Sequence, residues 1–177
     1  RNATVVDHRR LAIEGELGVK LLSADSDDVS KWEVEYEPII EIHMAGMDGP
    51  KGDDLGRRGL ELIGTNCIHA GVVHSTNTKR CLIGEISLNE VMTVSVGKEK
   101  VEQVTLSELR VGDMLGPVAT LSWLLKKLKS EGNKEEALLR EGAFVICSTP
   151  GALHLVPPGS EVRVEFSGLE TSCTAAT

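Results

Sequence analysis

Two carboxylates inside an apolar run restrict this chain more than any other feature. In Ile13-Glu14-Gly15-Glu16-Leu17-Gly18-Val19-Lys20-Leu21-Leu22 the aliphatic residues suit a β-strand, and the two glutamates, two positions apart, then share one face of it. A second segment, Pro38-Ile39-Ile40-Glu41-Ile42-His43, sets a third glutamate between isoleucines. Burying an acid among strand aliphatics costs several kcal/mol unless it is paired, protonated or bound to a cation. Three such carboxylates, if they converge, suit a hard divalent metal. The competing reading of Glu14 and Glu16 is a strand face turned to water, where glutamate usually sits.

The 177 residues are enough for one domain with a full hydrophobic core, spanning 1–177. A hydrophobic content of 41 % with 26 % charged residues belongs to an ordered globular chain rather than a disordered one. The formal net charge of −8, with basic residues only in short clusters such as Arg9-Arg10 and Arg57-Arg58, argues against a nucleic-acid partner. No apolar run reaches the roughly 18 to 20 residues that span a bilayer, so the chain reads as cytoplasmic, with no membrane partner. Cys67, Cys81, Cys147 and Cys173 form no CxxC pair and read as buried free thiols rather than zinc ligands.

Along the chain, residues 11–22 make the first strand. Asp25, Asp27 and Asp28 among serines give turn and cap chemistry leading into a short helix over Val29–Tyr36, which Pro38 should end; a second strand covers Ile39–Met44. The Gly, Pro and Asp of residues 46–54 make a loop, and Leu55–Ile63 is a weak helix candidate. Strands are expected at 81–83, 86–88 and 91–96, with a Gly97-Lys98 turn into a partner over 101–106. Apolar residues at 118, 121, 124, 125 and 128 behind Pro117 predict a helix whose stripe, including Trp123, is core. Strands at 142–147 and 161–166 close the chain. The sum is an α+β fold dominated by antiparallel sheet, with one main helix.

The order of these landmarks resembles the fumarylacetoacetate hydrolase superfamily over roughly residues 5 to 172. They are a Glu-x-Glu strand, a Pro-x-x-Glu strand, Asn66 in a small-residue segment, a Pro-led helix with Leu-x-Trp-Leu, and a Pro-Gly turn before an alternating strand. Within that superfamily the sequence is most similar to the 2-hydroxypentadienoate hydratase and 4-oxalocrotonate decarboxylase branch. The resemblance implies a mixed β-sandwich or roll. It assigns Glu14, Glu16 and Glu41 as ligands of Mg²⁺ or Mn²⁺, which would polarise a small 2-oxo acid and stabilise its enolate. It also implies a homo-oligomer.

The sequence departs from that pattern in several places. Leu115-Gly116-Pro117 stands for the family's Gly-His-Pro, and Cys147-Ser148-Thr149-Pro150 for its Ser/Thr-Gly-Ala-Leu turn. Relatives carry roughly 80 residues ahead of the Glu-x-Glu strand, including a lysine and an acid that move protons, where this sequence has 13; that region is expected to be absent.

Other candidates each have two readings. Asn66 either orients substrate or satisfies buried backbone, and Ser148 and Thr149 either bind a substrate carboxylate or form a plain turn. Lys20 either faces the pocket or snorkels from a strand edge, and His8 is a candidate general base. His43 shares the face of Glu41, either behind the metal ligands or simply as a satisfied histidine; His69, His74 and His154 read as structural. The expected activity is a metal-dependent lyase, a hydratase or decarboxylase of a 2-oxo or 2-hydroxydienoate acid. The alternatives are an acylpyruvate C–C hydrolase, disfavoured by the missing Asn-Asp-Val-Ser-Ala-Arg-Asp motif, and a catalytically inactive structural or ligand-binding homologue.

Overall fold

Strands β1 (Leu11–Ser23) and β2 (Glu33–Met44) pair antiparallel along their length, from Leu11 opposite Met44 to Ser23 opposite Glu33. The computed structural model describes residues 11–44, 69–111, 114–130, 139–147 and 150–176. The following strands are β3 (His69–Val73), β4 (Lys79–Leu82), β5 (Val91–Val96), β6 (Glu99–Thr105), β7 (Arg110–Val111) and β8 (Met114–Leu115). Helix α1 (Gly116–Ser130) precedes β9 (Phe144–Ile146), β10 (His154–Leu155), β11 (Glu161–Phe166) and β12 (Leu169–Thr174). The β1–β2 pair is the centre of a six-stranded sheet, with β9 and β10 on the outer edge of β1 and β3 and β4 on that of β2. A four-stranded sheet runs β12-β11-β5-β6, and β7 pairs with β8. All these pairings are antiparallel, so the expected α+β architecture is the one observed.

Side-chain alternation divides the large sheet into two chemically different faces. Ile13, Leu17, Val19 and Leu21 of β1, with Val34, Tyr36 and Ile40 of β2, are buried with Met92, Val94, Val162, Val164 and Phe166 of the second sheet. The sheets approach so closely at Gly15 that a Cβ there would lie 2.6 Å from Val94 Cγ2. Each fully buried aliphatic contributes about 1.5–3 kcal/mol, and this inner face stabilises a sheet whose other face carries acids. Helix α1 buries Leu121 and Ala119, but Trp123 is 50 % exposed, so it lies off the buried stripe to which the sequence assigned it.

The expected helix over Val29–Tyr36 shrinks to a single 3₁₀ turn, Val29–Lys31, capped by Asp28, which accepts the Ser30 N–H. Pairing with β1 and β4 claims residues 33–36 for β2 instead. Pro38 does not break this strand. In an antiparallel strand a residue's N and C=O point to the same side, and Pro38 O accepts the Thr171 hydroxyl rather than a β1 amide. Its missing N–H thus faces the gap between β4, which pairs with 33–36, and β3, which pairs with 40–43. No ladder bond is lost. The strand expected at 86–88 is not formed either: those residues are bend and turn, following a 3₁₀ turn at Ile83–Glu85 that packs on the first one. The hairpin of β11 and β12 turns through Ser167 and Gly168, both at positive φ (55° and 70°). Among the described residues no helix is long and apolar enough to cross a membrane.

Candidate metal centre

The outer face of β1 and β2 gathers the acids. Glu14 lies directly opposite Glu41, Glu16 opposite Ile39 and Ala12 opposite His43, so the three glutamates and His43 share one face. Glu16 is 3 % exposed and His43 5 %. His43 Nε2 sits 3.0 Å from Glu14 Oε2 and 3.6 Å from Glu41 Oε2, and one donor atom from each of these three residues falls within 4.8 Å of the others. Glu16 is hydrogen-bonded to Glu41. Such a bond between two carboxyl groups requires a proton between them, or else a cation in its place.

A β-bulge adds a further group. The register of β2 against β3 shifts between Ile42 and His43, which brings His69 opposite His43 and onto the acid face. From there His69 Nδ1 donates to Glu41 Oε1 at 2.5 Å. Nothing in the spacing of His69 signals this contact, because the bulge and not the sequence interval creates it.

The environment pushes the two facing carboxyls apart. Burial raises Glu14, and the neighbouring charge of Glu41 adds to the rise against the opposing influence of His43. Burial acts to raise Glu41 too, but hydrogen bonds from Glu16 and His69, with the charges of the two imidazoles, outweigh it and hold Glu41 below the ordinary carboxylate range. A site of three carboxylates and an imidazole on a mostly buried sheet face has the donor chemistry of a divalent-cation site.

Glu37, two positions from Ile39 on the same face, is 6 % exposed and fully used: Oε1 accepts from His74 Nδ1 at 2.9 Å and Oε2 from the Ser75 N–H at 2.6 Å. Glu102 and His154 form another pair, partly buried and 3.2 Å apart, with Glu102 also accepting the Ala152 N–H at 2.8 Å. Since Glu102 pairs with Val94 and His154 with Ile13, that pair lies on the inner, intersheet side of β1. Lys20 is directly opposite Glu35, its amine 3.8 Å from that carboxylate and half exposed, beyond the acid cluster. His8, Asn66, Cys67, Ser148 and Thr149, and the helix candidate Leu55–Ile63, lie outside the described residues. Cys81, Cys147 and Cys173 are free thiols.

No family model matches the chain, and no curated protein does. Solved structures do. The chain is similar to 4-oxalocrotonate decarboxylase from Pseudomonas putida G7, complexed with magnesium and adipate, at a TM-score of 0.67 and 18 % identity over 94 % of this chain and 60 % of that one. It is also similar to fumarylpyruvate hydrolase from Pseudomonas aeruginosa in complex with Mn²⁺ and pyruvate (TM-score 0.60, 14 % identity, 94 % of this chain and 66 % of that one). A third likeness is to maleylpyruvate hydrolase from Sphingobium sp. SYK-6 (TM-score 0.60, 12 % identity, 97 % and 57 %). The fold is therefore that of the fumarylacetoacetate-hydrolase type of enzyme. The chain spans about three fifths of the length of the decarboxylase.

Proposed function

We propose that the chain belongs to the fumarylacetoacetate hydrolase superfamily and is a metal-dependent enzyme acting on a small 2-oxo or 2-hydroxydienoate acid. The observation that carries this reading is the facing pair Glu14 and Glu41, with Glu16 bonded to Glu41, on an otherwise aliphatic sheet. Glu14, Glu16 and Glu41 would hold Mg²⁺ or Mn²⁺. When bound, such an ion supplies a Lewis acid for the oxygens of a 2-oxo acid. The residues of this chain contribute the rest: Glu41 accepts the His69 Nδ1–H and so keeps its carboxylate oriented, and the buried position of Glu16 excludes water from one side of the group.

A lyase reaction, decarboxylation or hydration, is favoured because the third acid is a glutamate on the Pro-x-x-Glu strand and because the decarboxylase has the higher TM-score of the structures above. Cleavage of an acylpyruvate C–C bond is the second reading, supported by the likeness to maleylpyruvate and fumarylpyruvate hydrolases. Calorimetric titration with Mg²⁺ and Mn²⁺ tests the metal: wild type should bind one ion and Glu16→Gln or Glu41→Gln should not, and equal affinity in both variants would sink the reading. Ultraviolet assays of 2-hydroxydienoate loss and acylpyruvate cleavage, run side by side on the metal-loaded protein, then choose the reaction.

A further inference from the structure

His43 is the group that the carboxylate reading leaves unexplained. It is 5 % exposed; neither ring nitrogen makes a well-aligned hydrogen bond, and Nδ1 has no partner of any kind among the described residues. A buried imidazole in that condition is costly. Nε2 is nonetheless aimed at the acids, 3.0 Å from Glu14 Oε2 and 3.6 Å from Glu41 Oε2, with an approach to Glu14 that misses hydrogen-bond alignment. Two donors bound about 2.1 Å from one ion at right angles are themselves about 3 Å apart. The separations around Nε2 are thus those of neighbouring ligands on a shared cation.

From this geometry we infer that His43 Nε2 is itself a ligand, so that the ion is held by a mixed nitrogen and oxygen set in which His43 joins the carboxylates of Glu14, Glu16 and Glu41. The inference rests on the divalent-metal reading above and changes which ion that site selects. Magnesium takes oxygen almost alone and dehydrates reluctantly, whereas Mn²⁺, Fe²⁺, Co²⁺ and Zn²⁺ accept imidazole. The site therefore prefers first-row transition ions over Mg²⁺. His69 has a different part: its Nδ1–H is committed to Glu41 Oε1, so it positions that carboxylate from behind.

The test is pulsed electron paramagnetic resonance of the Mn²⁺-loaded full chain, prepared once with natural histidine and once with ¹⁵N-histidine. A directly bound imidazole gives a nitrogen coupling that changes with the label. The coupling should persist in His69→Gln and vanish in His43→Gln, with the ratio of Mn²⁺ to Mg²⁺ affinity falling on the order of tenfold in the latter. The wild-type spectrum needs no variant to fold. If wild type binds Mn²⁺ without a nitrogen coupling, the role of His43 is overturned while the carboxylate site stands; if wild type binds no divalent ion, both are overturned.

Discussion

Glu14 and Glu41 are direct cross-strand partners whose carboxyl groups are driven in opposite directions, Glu14 above and Glu41 below the ordinary range. Burial of Glu14 is the main cost of its charge, the facing charge of Glu41 adds to it against the attraction of His43, and without a cation the sheet carries the remainder. Glu14→Gln should therefore raise the melting temperature of the metal-free protein by about 2–4 °C, the equivalent of about 1 kcal/mol at this chain length. The same variant should lose the stabilisation that an ion gives wild type, about 2.7 kcal/mol at one hundred times the dissociation constant. Thermal melts with and without chelator check both halves. A variant that melts lower than wild type in chelator would contradict a net cost of burying the Glu14 charge beside Glu41.

The sign of the pH dependence follows from the same shift. Because burial raises Glu14 above 4.5, the folded state binds its proton more tightly than the unfolded chain. That contribution is fully present below 4.5 and is lost as pH rises through the higher folded value. Metal-free wild type should therefore lose stability relative to Glu14→Gln as pH rises from about 4.5 towards neutrality. Glu41, shifted downward, contributes in the opposite sense and only as pH falls below 4.5. Urea titrations of both proteins at several pH values in chelator would reveal the divergence, and parallel curves would refute it.

Gly15, between the two glutamates, is where β1 comes closest to the second sheet. Its missing side chain leaves room for Val94 Cγ2 and Val164 Cγ1, which an added Cβ would approach to 2.6 and 3.3 Å. Gly15→Ala should cost about 1–3 kcal/mol through overpacking. Shortening the opposing side chain in the double variant with Val94→Ala should return part of the loss, a coupling measurable by a double-mutant cycle. Simple addition of the two penalties would show that the close approach is not what constrains this glycine.

The parts of the site that were readable from sequence are those set by alternation. Glu14 and Glu16 share a face because they are two apart, and Glu41 and His43 do so for the same reason. What joins the two faces is the register, Glu14 opposite Glu41, and register belongs to the sheet rather than to either segment. His69 reaches Glu41 through a bulge that no spacing rule contains. Pro38 misled because proline ends helices and avoids central strands, while here the gap between β3 and β4 spares its missing N–H. The last strand, β12, carries its own signal in the sequence, since Ser167-Gly168 is a two-residue hairpin turn of the kind that glycine favours. Trp123 fell within a helical stripe but projects off its buried side, since helical periodicity gives the face only to within about one residue.

Glu37 offers a control for the site, since it lies on the same face and is equally buried but is wholly occupied by His74 and Ser75. Glu37→Gln should destabilise the fold by about 1–3 kcal/mol, as one of two buried acceptors is replaced by a donor facing a donor. Divalent-ion affinity should be unchanged within about twofold, because Glu37 has no part in the Glu14, Glu41 and His43 cluster. Paired denaturation and calorimetry measure the two effects. A large loss of metal affinity with an intact fold would place Glu37 in the centre instead of beside it.

Cys147 links this face to the stability of the whole chain. Its N–H donates to Leu17 O at 2.9 Å and its carbonyl accepts from Thr120 Oγ1 at 3.3 Å, so it ties the end of β9 to both β1 and α1. Burial, with a smaller contribution from Glu16, pushes its thiol from 9.0 up to about 12. The folded protein thus holds this proton more tightly than the unfolded chain does. Stability from the thiol is complete below 9 and is lost as pH rises towards about 12, to a total of about 4 kcal/mol. Wild type should therefore fall in stability about 1.4 kcal/mol per pH unit more steeply than Cys147→Ala above pH 9.5, until the cavity penalty of the variant at neutral pH is cancelled. Guanidinium titrations between pH 8 and 10.5 follow the narrowing gap, and thiol-reagent labelling should find Cys147 unreactive until the chain unfolds. Rapid labelling of the native thiol at pH 8, or a gap that stays constant with pH, would show that the group is not held neutral by its burial.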